Sequence, residues 1–142
     1  AVTMNVSSVT SGASPPTPSW VPFGSGCMGG NGVPLLQLAT LPAIGGTFSL
    51  AVQNLASSQA FMVTGFNPLT RALPLYWGFG ASCSLLVDAS DFISFLPQAS
   101  GNATWGLAIP NIAALAGMHL YNQVAEFGAM SAVSNAGNAE IQ

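Results

Sequence analysis

Charge is what this sequence has least of. Only 4% of its 142 residues are Asp, Glu, Lys or Arg, against about 25% in an ordinary soluble domain. They are Arg71, Asp88, Asp91, Glu126 and Glu140; lysine is absent, and residues 1–70 carry no charged side chain. One basic residue and a net charge of −3 exclude a nucleic-acid footprint, because phosphate binding needs clustered Lys and Arg. The same deficit removes attraction to anionic lipid. Long apolar runs are also lacking. The best window for a membrane span, Leu35 to Leu55, is broken by Gln37, Pro42, Gly45, Gly46 and Gln53. Its apolar residues partly alternate, as strands do, so no membrane span is expected. One histidine and two cysteines, far apart in the chain, are too few for a zinc site. No metal or cofactor is expected.

What remains is a surface of Ser, Thr, Asn, Gln, Gly and Ala, with little electrostatic repulsion to hold copies apart. The chain opens Ala1-Val2-Thr3 without Met, as an exported protein does after its leader is removed. Two cysteines in a lysine-free chain rich in small polar residues point to an oxidising compartment. Bonded, Cys27 and Cys83 close a loop of about 57 residues, worth roughly 4 kcal/mol in loop entropy; the alternative is two buried free thiols. The expected location is extracellular or at the cell surface.

Sixteen glycines and ten prolines cut the chain into apolar runs of about five to nine residues, which is strand length. Val2, Met4 and Val6 alternate with Thr3, Asn5 and Ser7, and Ser14-Pro15-Pro16-Thr17-Pro18 follows as a stiff connector. Further strands are expected at Pro34–Leu38, Thr47–Gln53, Gln59–Phe66, Ser84–Asp88, Phe92–Leu96, Asn102–Ile109, Met118–Phe127 and Met130–Ile141. Phe48, Leu50 and Val52 share one face, as do Trp105, Leu107 and Ile109. Asn111 to Gly117 has room for one helical turn, with Asn111 as cap and Gly117 as stop. The expected fold is all-β, a β-sandwich or jelly roll. Residues 1–22 form an arm with its proline connector, and residues 23–142 the sandwich.

A series of landmarks runs from Phe23-Gly24, Cys27 and Gly30 through Pro34-Leu35, Pro42, Gly45, Phe48-Ser49-Leu50 and Asn54-Leu55. It continues with Gly65, Pro74, Cys83, Leu85, Val87 and Asp91. It closes on Gly101-Asn102-Ala103, Ile109-Pro110, Leu115, Gly117, Tyr121, Gln123 and Ser134-Asn135-Ala136. This order resembles a β-sandwich domain common in large secreted proteins of environmental bacteria, often at their C-termini. The resemblance covers about 120 residues of loosely spaced landmarks and implies export, a cysteine pair and a sandwich, with no known activity. The chain departs from the family's usual setting in standing as a short chain with its own N-terminal β-like segment.

Candidate chemistry is sparse. His119 has no G-x-S-x-G nucleophile elbow to serve and is expected to be a sheet residue making one or two hydrogen bonds. Asp88 and Asp91 fall short of the six oxygens a calcium ion needs and fit local turn bonding better. Arg71 is expected to pair with one of these acids or with a main-chain carbonyl. An enzyme is not expected, because no acid–base or nucleophile set is present. Asn5-Val6-Ser7 and Asn102-Ala103-Thr104 fit the glycan-acceptor pattern at Asn5 and Asn102. Among the aromatics Trp20, Phe66, Tyr76, Trp77, Phe79 and Trp105, the cluster Tyr76, Trp77 and Phe79 is a candidate sugar-stacking patch, set against a core or interface role.

Two functional readings follow. The first is a self-assembling subunit of a filament or surface layer, whose partner is itself: Val2, Met4 and Val6 add as a strand to a neighbour's sheet. The second is an adhesion module that binds surface glycans through Tyr76, Trp77 and Phe79.

Overall fold

The structure, a computed structural model, describes residues 16–89 and 92–142. The expected arm residues Val2, Met4, Asn5 and Val6, and Asp91, lie outside the described residues. Ten strands form among those described. They are β1 (Ser19–Phe23), β2 (Leu35–Thr40), β3 (Thr47–Gln53), β4 (Ala60–Gly65) and β5 (Pro68–Ala72). The others are β6 (Ser84–Val87), β7 (Phe92–Leu96), β8 (Ala103–Ala108), β9 (His119–Glu126) and β10 (Ala132–Glu140).

The alternation expected for β3 places Phe48, Leu50 and Val52 in the core, each at most 3% exposed. β3 pairs antiparallel with β2 and β8 to make a three-stranded sheet, with Leu50 opposite both Leu38 and Trp105. This sheet packs on a five-stranded antiparallel sheet in the order β1-β10-β9-β4-β7. Between them lie Leu36, Phe48, Leu50, Met62, Leu96 and Val124, the centre of the main core. The chain is therefore an all-β sandwich.

The larger sheet is covered on its second face as well. β5 and β6 pair as a two-stranded sheet, and Leu86 and Val87 of β6 pack on Val63 of β4 and Ala136 of β10. Burial on both faces explains why β10, Ala-Val-Ser-Asn-Ala-Gly-Asn-Ala-Glu, is built of small residues. At Gly137 even a methyl group has no room: an added Cβ would lie 2.3 Å from Nε1 of Trp20.

Two strands depart from expectation. Ser19–Phe23, which the sequence reading assigns mostly to the arm and its connector, is β1 and pairs with β10, with Pro22 opposite Gly137. Pro68–Ala72 is not among the expected strands and forms β5. A proline marks each run, and proline is tolerated at an edge or at a strand's first residue; β1 is an edge and Pro68 opens β5. The turn expected within 111–117 is a short 3-10 turn at Ala113–Leu115. It is preceded by Ile112 with no side-chain cap, so Asn111 does not serve as its cap. Gly117 has φ +86°, as a stop requires.

Candidate functional site

The site is built on the segment joining β5 to β6. Cys83 is disulfide-bonded to Cys27, and both are buried. Cys27 is itself fixed to the sheet through its N–H, which donates to the Val133 carbonyl at 2.9 Å. A 3-10 turn at Leu75–Trp77 precedes the disulfide and ends on Gly78 at φ +91°. This left-handed residue redirects the chain between Trp77 and Phe79. Ser131 holds the turn in place: its hydroxyl donates to the Trp77 carbonyl at 2.7 Å and its N–H to the Gly78 carbonyl at 3.2 Å.

The consequence is a split in the expected aromatic cluster. Tyr76 and Trp77 stand out, 84% and 53% exposed, whereas Phe79 is buried at 3% among Ala125, Ala132, Val133 and the disulfide. Phe79 is thus a core residue and presents no ring to a ligand beside the other two. Instead the rings continue across the sheet. Tyr76 meets Trp77 edge-on at 5.8 Å, and Trp77 meets Phe127 at 6.4 Å. Phe127 meets Phe79 at 5.5 Å and Phe61 at 5.9 Å, and Phe61 meets Phe95 at 5.9 Å.

Register explains this strip. Phe61 of β4 is opposite Phe95 of β7, and Val63 is opposite Ile93, so all four share one face. Ile93 and Phe95 are 56% and 55% exposed. Between the 73–83 segment and this face lies a cleft of about 160 Å³, lined by apolar side chains that include Phe61, Leu73, Trp77, Phe127 and Ile93. β7 ends the sheet; among the described residues no strand pairs with its outer side. Sequence reading found strand β7 but not its position at an edge, which only the topology supplies.

The remaining candidates lie apart from this strip. Asn102 is exposed in the turn before β8, and Thr104 is exposed as well. Trp105 packs edge-on against Phe48 at 5.7 Å and its Nε1 donates to Ser94 Oγ at 3.2 Å. Trp20 packs on the main core, while Phe66 is exposed. Arg71 is exposed on β5, across from Leu85. His119 Nδ1 lies 2.7 Å from Asn138 Oδ1, and its Nε2 is 3.7 Å from Glu140 Oε1. Among the described residues no three of His, Cys, Asp and Glu gather as a metal set, and no helix is long and apolar enough to cross a membrane.

Of the six buried polar or charged residues among those described, none marked in the sequence as buried, three lie on one strand. Glu126 is buried; its Oε1 accepts the N–H groups of Ala56 at 2.9 Å and Ser57 at 2.8 Å, anchoring the turn before β4. Asn122 donates to Thr64 Oγ1 at 2.9 Å inside the sheet. Gln123 accepts from the Leu86 N–H and donates to the carbonyls of Ser84 and Ser134. All three lie on β9, the central strand of the five, paired with β10 on one side and β4 on the other.

Compared with known proteins, the chain matches no family model, no curated protein and no solved structure.

Proposed function

We propose that this chain is an extracellular structural subunit that assembles with copies of itself into a filament or surface layer. The observation that carries this reading is the apolar strip that exposes Tyr76, Trp77, Ile93 and Phe95 and is joined across its middle by the half-buried Phe127 and Phe61. Large contiguous apolar patches on a protein surface mark interaction sites. A chain with one basic and four acidic residues, of which Glu126 is buried, supplies little repulsion against another copy. The Cys27–Cys83 disulfide agrees with an oxidising, extracellular setting, as does the resemblance to a secreted sandwich domain. Catalysis has no part in this reading.

Purified chain examined by negative-stain electron microscopy and by light scattering across a concentration series tests it. Regular polymers growing with concentration are expected; a single-subunit mass at every concentration refutes the assignment. A second reading, glycan adhesion, draws on the exposure of Tyr76 and Trp77. It predicts that Tyr76→Ala with Trp77→Ala abolishes retention on insoluble polysaccharide while leaving the association state unchanged.

A further inference from the structure

We infer that the outer edge of β7 is the acceptor for an incoming strand, and that the strand is residues 2–6 of a second copy. The inference rests on the self-assembly reading and adds to it the place where copies join.

An edge strand exposes unpaired N–H and C=O groups, and proteins ordinarily blunt such edges with charge, proline or a bulge. β7 is Phe-Ile-Ser-Phe-Leu and has none of these; its pairing with β4 runs without a break in register. Phe92, Ile93 and Phe95 are all more than 40% exposed. A strand added here completes the ladder and covers Ile93 and Phe95 together with the mouth of the apolar cleft beside them.

The chain carries a segment of the matching kind. Val2, Met4 and Val6 alternate with Thr3, Asn5 and Ser7, so an extended segment has one apolar and one polar face. Placed on β7, the apolar face lies beside the exposed Ile93 and Phe95, and the polar face falls on the side of Ser94, where Leu96 is already buried in the main core and Phe92 lies at the strand's start. A slip of one residue would reverse this, so the pattern fixes which face of the incoming strand meets Ile93 and Phe95.

Topology favours a second copy over the chain's own arm. The segment enters the sheet through β1, and β10, β9 and β4 separate β1 from β7. Four inter-strand steps amount to about 19 Å. An arm of about 15 residues is long enough to span that distance. It must, however, pass the three-stranded layer on one face or β5 and β6 on the other. A strand from a neighbour meets the edge directly. Donor and acceptor at opposite ends of one sheet make a head-to-tail contact, which builds a fibre when it does not close.

Complementation in the full chain tests this. Variant one replaces Val2, Met4 and Val6 with Ser and lacks a donor; variant two, Ile93→Lys, blocks the acceptor at a position more than half exposed. Each is expected to be a single subunit with unchanged circular dichroism and an intact disulfide. Mixed one to one, they are expected to form a heterodimer that grows no further, because variant one offers a free β7 and variant two a free arm. Should Ile93→Lys fail to fold, Phe95→Lys, at the other position more than half exposed on the same face, replaces it as the acceptor block. Polymers formed by the acceptor variant, or no heterodimer in the mixture, overturn β7 as acceptor while wild-type polymers leave the assembly reading standing. A wild type that stays a single subunit removes the assembly reading itself.

Discussion

Replacing Gln123 with Leu tests whether the two-stranded sheet is tied to the sandwich by polar contacts as well as by packing. Gln123 is fully buried. Its Oε1 accepts from the Leu86 N–H at 2.9 Å, and its Nε2 donates to Ser84 O at 3.1 Å and Ser134 O at 2.9 Å. Both amide hydrogens and one carbonyl lone pair are thereby used, linking β9 to β6 and to β10. Leucine keeps the approximate shape and loses all three bonds. Each bond contributes about 1 kcal/mol net, and a stranded buried N–H or carbonyl costs about 1–3 kcal/mol. Burying the leucine methyls returns about 1–2 kcal/mol. The expected loss is therefore about 3 kcal/mol. With an unfolding entropy of about 2.1 cal/mol/K per residue, that is roughly 10 °C in melting temperature for a chain this size. Gln123→Glu should cost more, because it sets a carboxylate oxygen against two carbonyls. The assay is thermal unfolding by circular dichroism, with hydrogen exchange of the Leu86 amide as the local readout. A Gln123→Leu protein that melts within about 3 °C of wild type, with the Leu86 amide still protected, would refute the reasoning.

Two further outcomes follow from the packing. Cys27→Ser with Cys83→Ser opens a loop of sequence separation 56 and should lower stability by about 4 kcal/mol, roughly 10 °C or more in melting temperature. An unchanged melting curve would show that Ser131 and Phe79 hold the 73–83 segment without the crosslink. Gly137→Ala drives a methyl into the Trp20 indole, 2.3 Å away, and should cost about 1–3 kcal/mol by overpacking. Tryptophan emission and unfolding report it, and wild-type values in both would mean that β1 yields freely.

Much of the sandwich was legible because its strands are short and bounded by turn residues. Thr47–Gln53 and Phe92–Leu96 occur with the expected ends, since alternation and flanking breakers act locally. β1 and β5 were hidden by Pro22 and Pro68, which weaken a strand signal unless the strand is known to be at an edge. The disulfide was legible as a pair because the sequence holds only two cysteines. The aromatic site was half legible. Tyr76-Trp77-Gly78-Phe79 stood out as a cluster, but the φ +91° of Gly78 sends Phe79 inward, and no local pattern announces that. Phe61, Phe95 and Phe127 join the strip through strand pairing at long range, which one sequence does not display. Glu126 has no local mark of a buried residue; its burial depends on the backbone N–H groups of Ala56 and Ser57, some 70 residues away.

The difference between the two edges of the large sheet bears on why assembly would give an ordered polymer. A domain with so little charge has a weak barrier to edge-to-edge aggregation, and two open edges would let sheets join in many registers. Here β1 carries Pro22, which has no N–H to offer and interrupts any ladder on its free side. β7 carries no such block and exposes Ile93 and Phe95. On the proposed reading, one receptive edge on the large sheet would admit one partner strand per subunit, and the alternation of Val2, Met4 and Val6 would limit which face that strand turns toward Ile93 and Phe95. Converting the closed edge to an open one should expose the distinction. Pro22→Val supplies the missing N–H and a β-branched side chain at an exposed position. If wild type forms the proposed fibres, amorphous aggregates from this variant would show that Pro22 enforces order. Fibres unchanged from wild type would show that order does not depend on Pro22.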